Sequence, residues 1–168
     1  MTARGIDLKR GFEQLYLDAW PRLYRYTWLL VRNHEDAEDT AAEAVRRAYG
    51  AWLSGHGPQG DSLAWLFLIA RRVVIDRHRR NPIKWLSLAS TSEPADRRNH
   101  FESTEEELWF EQLRTFLTPR QHEALLLRYL FDLSDQQIGK LMGLSDGGVR
   151  TNIARAVASL RTHPEVLS

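Results

Sequence analysis

A chain of 168 residues, 43% of them hydrophobic, has room for one domain or two small ones and enough apolar side chains to pack them. The absence of cysteine excludes disulfides, thiol catalysis and thiolate metal sites, and no apolar run approaches the ~18 residues that a membrane span requires. The formal net charge of +1 announces no nucleic-acid partner, but it is unevenly spread: residues 1–80 sum to +3, residues 81–117 to −3 and residues 118–168 to +1, two weakly basic blocks around an acidic connector. The first pattern is helical. Phe12, Leu15, Tyr16, Ala19, Leu23, Tyr26 and Leu30 recur at helical spacing, with Pro21 either starting a new helix or kinking one. Asn33 can cap a second helix running to about Leu53, with Ala37, Ala41, Ala44, Val45, Ala48 and Trp52 inward. Its first turns hold Glu35, Asp36, Glu38, Asp39 and Glu43. Acids near a helix start complement the macrodipole, and Glu43 is placed to pair with Arg47, which accounts for two or three of the five. Asp36, Asp39 and Glu43 lie on one stripe, which suits a basic protein surface better than it suits DNA.

Residues 54–60, SGHGPQG, read as a loop, and Asp61 as the cap of a third helix with Leu63, Leu66, Phe67, Ala70, Val73 and Val74 as core contacts. The end of that helix turns basic. Residues 71–84 carry a local charge of +5, which is either a solvated helix end or a phosphate-binding face with Trp65 and Trp85 as nearby stacking rings. Asn81-Pro82 ends the helix, and residues 85–103, rich in Ser, Thr, Pro and charge, read as a flexible linker. Ser103 and Glu106 have capping-box spacing and open a helix with Leu108, Phe110, Leu113 and Phe116 on its apolar side. Thr118-Pro119 with Gln121 restarts the chain as a helix through Tyr129.

The stretch from Ser134 to Arg161 then reads as a helix-turn-helix. Ser134 and Gln137 form a further capping box, Ile138 and Leu141 face inward, and Gly143 supplies the left-handed conformation of a tight turn. Leu144 plugs the corner and Ser145 caps the second helix, in which Val149, Ile153, Val157 and Leu160 form one apolar stripe. The opposite face carries Thr151 and Arg155, flanked by Arg150 and Asn152. Such a face suits a major groove, where arginine chelates guanine and asparagine adenine; the plain alternative is a helical hairpin with a solvated face. No catalytic triad, metal cluster or phosphate loop is recognisable, so neither an enzyme nor a cofactor nor a metal is expected.

Three stretches carry a family resemblance. DAEDTAAEAVRRAY (36–49) resembles the region 2 pattern DAEDLVQETFLRAW of the extracytoplasmic-function group of sigma-70 factors, and SLAWLFLIARRVVIDRHRR (62–80) is similar to that group's FRAWLYTIARNLAIDRLRR. Residues 117–156 resemble its region 4. The resemblance implies an all-α fold of two small helical domains, region 2 at 8–84 and region 4 at 104–163, joined by the linker 85–103. It implies a subunit of bacterial RNA polymerase, working in the cytoplasm without catalysis of its own, that directs polymerase to promoters. Asp36, Asp39 and Glu43 would dock on the clamp helices of the largest polymerase subunit. His56, Trp65, Arg71, Arg72, Arg77, Arg79 and Arg80 would hold the unpaired −10 element, the arginines on phosphates. Arg150, Thr151, Asn152 and Arg155 would read the −35 duplex while region 4 packs on the β flap. An anti-sigma factor is a further candidate partner, and a stand-alone helix-turn-helix regulator is the rival reading. The chain departs from the family pattern at Gly148, where threonine is usual, at Asn152, where arginine is usual, and at Thr40-Ala41-Ala42, which replaces LVQ.

Overall fold

The structure, a computed structural model, describes residues 3–82 and 104–166, with side chains from residue 5 onward. The expected linker at 85–103, Trp85 within it, and the expected cap Ser103 lie outside the described residues. The chain divides into two compact units, Met1–Ala95 and Asp96–Ser168. No strand occurs among the described residues.

The first unit packs three helices: α1 (Ala3–Val31), α2 (His34–Leu53) and α3 (Ser62–Arg80). Pro21 neither starts nor ends a helix, because α1 runs through it. Proline withdraws one amide from the ladder and crowds the carbonyl four residues back. That residue is Leu17, which is 60% exposed, so the proline lies on the solvent side of the helix turn it interrupts rather than in the core. The chain then reverses at Arg32, whose left-handed φ of 57° is an uncommon posture for a residue with a side chain. Its amide donates to the Trp28 carbonyl at 2.7 Å, and its guanidinium lies 4.0 Å from the centroid of the Trp28 ring. Asn33 caps α2 by accepting the Asp36 amide, as its sequence position indicates.

Four alanines of α2, at positions 37, 41, 44 and 48, are fully buried, and their small side chains let α1 and α3 approach closely. Against them pack Leu23, Leu66 and a stacked pair, Tyr26 on Phe67, with ring centroids 4.4 Å apart. The helices are also cross-linked by polar contacts. Thr27 shares its hydroxyl proton between the carbonyls of Tyr24, 2.9 Å, and Ala37, 3.0 Å, which ties α1 to α2. Arg47 donates to Glu43 on its own helix and to Asp76 of α3 at 3.0 Å. Thr40 is fully buried, and its hydroxyl meets no hydrogen-bond partner among the described residues.

The second unit contains α4 (Glu105–Gln112), a 3-10 turn Leu113–Phe116, α5 (Pro119–Leu125) with a wide π turn Leu126–Leu130, then α6 (Asp135–Met142) and α7 (Asp146–Arg161). Two capping boxes overlap in the sequence at the start of α4, and the structure uses the later one, Thr104 with Glu107. This corrects the expected apolar side: Leu108 is 47% exposed, whereas Phe110 and Leu113 are buried. α5 begins with the expected box of Thr118 and Gln121 and has Pro119 in its first turn. It ends in the wide turn, where the Phe131 amide reaches back to the Leu126 carbonyl at 3.1 Å and Asp132 takes a left-handed φ of 55°. Three side chains lock the unit through main-chain carbonyls. The indole of Trp109 donates to Val166, Ser159 to Phe116, and the buried ring of His122 pairs with Phe110 through Nε2.

Candidate nucleic-acid and protein interfaces

The α6–α7 hairpin is a helix-turn-helix assembled from local signals. In the Ser134 box the Ser134 amide donates to Gln137 Oε1 at 2.8 Å and the Gln137 amide to Ser134 Oγ at 3.2 Å. Gly143 stops α6 at φ 67°, where a side chain would be strained, and Ser145 Oγ accepts the Gly148 amide at 3.0 Å to start α7. A residue that sequence reasoning missed sets the closeness of the turn. A Cβ on Gly139 would sit 2.6 Å from the Leu144 carbonyl oxygen, so only glycine lets the turn cross α6 at this distance. The signal available in the sequence was a second glycine one helical turn before Gly143.

Val149, Ile153, Ala156 and Leu160 are buried, which leaves Arg150, Thr151 and Arg155 exposed on α7. These side chains are not equally available. Thr151 and Arg155 have no hydrogen-bond or ion-pair partner among the described residues. The Asn152 amide donates to the Gly148 carbonyl at 2.9 Å, so the expected adenine reader is turned onto its own helix. Arg150 reaches Asp135 at 3.5 Å, and Asp135 also pairs with Arg128.

The acids of α2 separate in the same way. Asp36 is only 7% exposed, which corrects the expectation of one exposed stripe through Asp36, Asp39 and Glu43. Glu43 is held by Arg46 and Arg47, and the hydrogen bond from Arg47, above all, lowers its pKa below the ordinary glutamate value. Asp39 stands exposed with no partner among the described residues, and Glu35 and Glu38 are exposed on the same first turns. Nearby, Tyr24 and His34 are hydrogen-bonded, and burial, then the charge of Glu38, raises the tyrosine pKa.

On α3 the five arginines do not form a single face. Arg72 and Arg79 are exposed and, with Trp65, recur every seven residues, nearly two full turns, so they share one side. The buried residues Leu66, Phe67, Ala70 and Val73 lie on the other side. Arg80 is exposed at the helix end, and Arg71 is half-buried. Arg77 is half-buried on the packed side, where its charge helps to lower the Glu43 pKa. His56 projects from the α2–α3 loop and is exposed, its amide donating to the Ala51 carbonyl at 2.8 Å. The sequence also gave no sign of an apolar groove of about 420 Å³ in the second unit, lined by Trp109, Phe110, Leu125, Tyr129 and Leu160. Beside it Leu108, Trp109 and Tyr129 are well exposed to solvent. Among the described residues there is no group of His, Cys, Asp or Glu able to hold a metal, and no helix long and apolar enough to cross a membrane.

Residues 15–82 match the family described as Sigma-70 region 2, and residues 116–160 match Sigma-70, region 4. The chain is 31% identical over 159 residues to the ECF RNA polymerase sigma factor BldN of Streptomyces coelicolor, a match covering 89% of this chain and 59% of that protein. It is 31% identical over 131 residues to the ECF RNA polymerase sigma factor SigC of Mycobacterium tuberculosis, covering 77% of this chain and 70% of the other. The sigma factor RpoE of Bartonella quintana, solved in complex with the anti-sigma factor NepR, superposes with a TM-score of 0.73 at 21% identity, covering 94% of this chain and 97% of that one. At that identity the superposition shows a shared fold.

Proposed function

The chain belongs to the sigma-70 family, in its extracytoplasmic-function group, and from that premise we propose that it is a promoter-specificity subunit of bacterial RNA polymerase, acting in the cytoplasm. The observation that carries the reading is α7. Its buried stripe fixes one side against the second unit, and its free side offers Thr151 and Arg155 to a duplex. Arg155 reads a base edge of the −35 element, Arg150 binds the backbone, and the region 4 groove at Trp109 and Tyr129 receives the β flap. The first unit binds the −10 element as a single strand. Trp65, Arg72 and Arg79 present a ring and two cations on one exposed side of α3, the combination that stacks a base while neutralising phosphates. Arg80 adds charge at the end of that helix, and His56 and Arg71 lie at its margin. Asp39, with Glu35 and Glu38 in place of the buried Asp36 and the arginine-paired Glu43, meets the basic surface of the clamp helices.

Promoter opening then needs no catalytic group in this chain. A surface that binds unpaired strand more tightly than duplex shifts the melting equilibrium by that difference, and polymerase performs the chemistry. An anti-sigma factor, as found with the Bartonella protein, would act by covering these surfaces. A stand-alone regulator would leave the region 2 match at residues 15–82 without a role.

The test is to combine the protein with purified core polymerase and map transcription starts on genomic DNA. Starts that share a −35 and a −10 motif are expected. Initiation no different from that of core polymerase alone would refute the proposal.

A further inference from the structure

Trp52 sits at the end of α2, beside the loop 54–60, which carries His56 to the margin of the side read above as binding the −10 strand. The indole nitrogen donates to the Leu8 carbonyl at 3.0 Å, fixing the ring to the start of α1. Phe12 meets the ring edge-on with centroids 5.7 Å apart, and Phe12 in turn leans on Tyr49 at 5.0 Å. Glycines flank the indole. A Cβ on Gly11 would lie 3.4 Å from its Cζ2, and a Cβ on Gly57 would lie 3.3 Å from its Cε3. Gly57 therefore rests on the ring at a distance that leaves no room for even one methyl group without displacement.

Most of the loop is open to solvent. Gly55 takes a left-handed φ of +78°, Gly60 has nothing within 4 Å of a would-be Cβ, and Ser54, His56, Gln59 and Gly60 are exposed. The main-chain bonds at its start, Ser54 to Gly50, Gly55 to Trp52 and His56 to Ala51, all fall before Gly57. The tryptophan ring is thus the platform under the middle of the loop, directly after His56.

We propose that Trp52 is a positioning residue for −10 recognition: it supports Gly57 and so sets where the loop presents His56 to the unpaired strand. The inference rests on the reading of the first unit as a −10 binder. Recognition of one base by a loop depends on placement to a fraction of an ångström, so moving the loop erodes discrimination between bases before it erodes charge-driven binding.

The experiment uses holoenzyme reconstituted from the full chain and core polymerase. Its probe is a labelled single-stranded oligonucleotide carrying the −10 segment of a promoter mapped with this protein, together with its single-base variants. Gly57→Ala pushes the loop off the ring, Trp52→Phe shortens the platform and removes the bond to Leu8, and Gly60→Ala alters the same loop where there is open space. A change of one base is expected to cost wild type and Gly60→Ala roughly tenfold in affinity, and Gly57→Ala only about twofold, with Trp52→Phe between them. Affinity for core polymerase and the melting midpoint should not change in Gly57→Ala. The proposal is overturned if Gly57→Ala discriminates as Gly60→Ala does, or if its loss of discrimination merely follows a fall in melting midpoint. If wild-type holoenzyme itself shows no preference for the −10 strand, the reading of the first unit fails instead, which is a separate result.

Discussion

The two units are held together in different ways. In the second, helix boundaries are written into adjacent residues: three capping boxes at Thr104, Thr118 and Ser134, a serine cap at Ser145 and a left-handed glycine at Gly143. The first has side-chain caps at Asn33 and Asp61 but no capping box among the described residues, and its helices are tied to one another by Thr27 with Ala37, Arg47 with Asp76, Trp52 with Leu8 and Tyr26 on Phe67. The difference fits the proposed ligands. A duplex groove has a fixed shape and suits a reader whose geometry is set locally, whereas a single strand must be caught by a surface assembled from several elements.

The comparison is broken most forcefully at Gly139. Its replacement by alanine puts a Cβ against the Leu144 main chain, and overpacking of this kind costs about 1–3 kcal/mol. Hydrogen exchange should accelerate in α6 and α7, and binding to a −35 duplex should fall. Unchanged exchange there would show that the turn is set elsewhere. Ser134→Ala is expected to cost about 1 kcal/mol by removing one capping box, read as earlier urea unfolding with loss of protection confined to α6.

Thr40→Val has the opposite sign. The buried hydroxyl has no partner among the described residues, so an isosteric apolar side chain should stabilise the first unit by about 1 kcal/mol and raise its melting midpoint. A lower midpoint would mean that the hydroxyl is in use. Glu43→Gln is the smallest of the set, because the carboxylate is partly solvated and its pairing is screened by salt. The Glu43 pKa is lowered on folding, so its contribution is present above the ordinary glutamate range and lost as pH falls through the depressed value. The midpoint difference between wild type and Glu43→Gln should therefore close on acidification; a difference that widens instead would refute the pairing.

What the sequence revealed follows the same division. The turn of the second unit was legible, down to Gly143 and Ser145, because each signal lies within a few residues of its effect. Where two such signals overlap, as at Ser103 and Thr104, adjacent residues alone do not choose between them, and the box that forms is that of Thr104 and Glu107. In the first unit the alanine face of α2 was readable from spacing, but the burial of Asp36, the course of α1 through Pro21 and the support under Gly57 depend on partners elsewhere in the chain. The stripe through Asp36, Asp39 and Glu43 failed for that reason: helical spacing says which residues share a side, and only packing says which sides are covered. The groove beside Trp109 is drawn from three separate stretches of the chain and leaves no trace in any one of them.

One carboxylate in the second unit serves two masters. Asp135 faces both Arg128 and Arg150, and the arginine on α7 is the more exposed of the two, at 64% against 30%. If Arg150 binds the sugar–phosphate rail as proposed, Asp135 keeps Arg128 when Arg150 leaves it, and no charge is left stranded. The exposed pair is itself worth little, so giving it up would take little from the free energy of the grip.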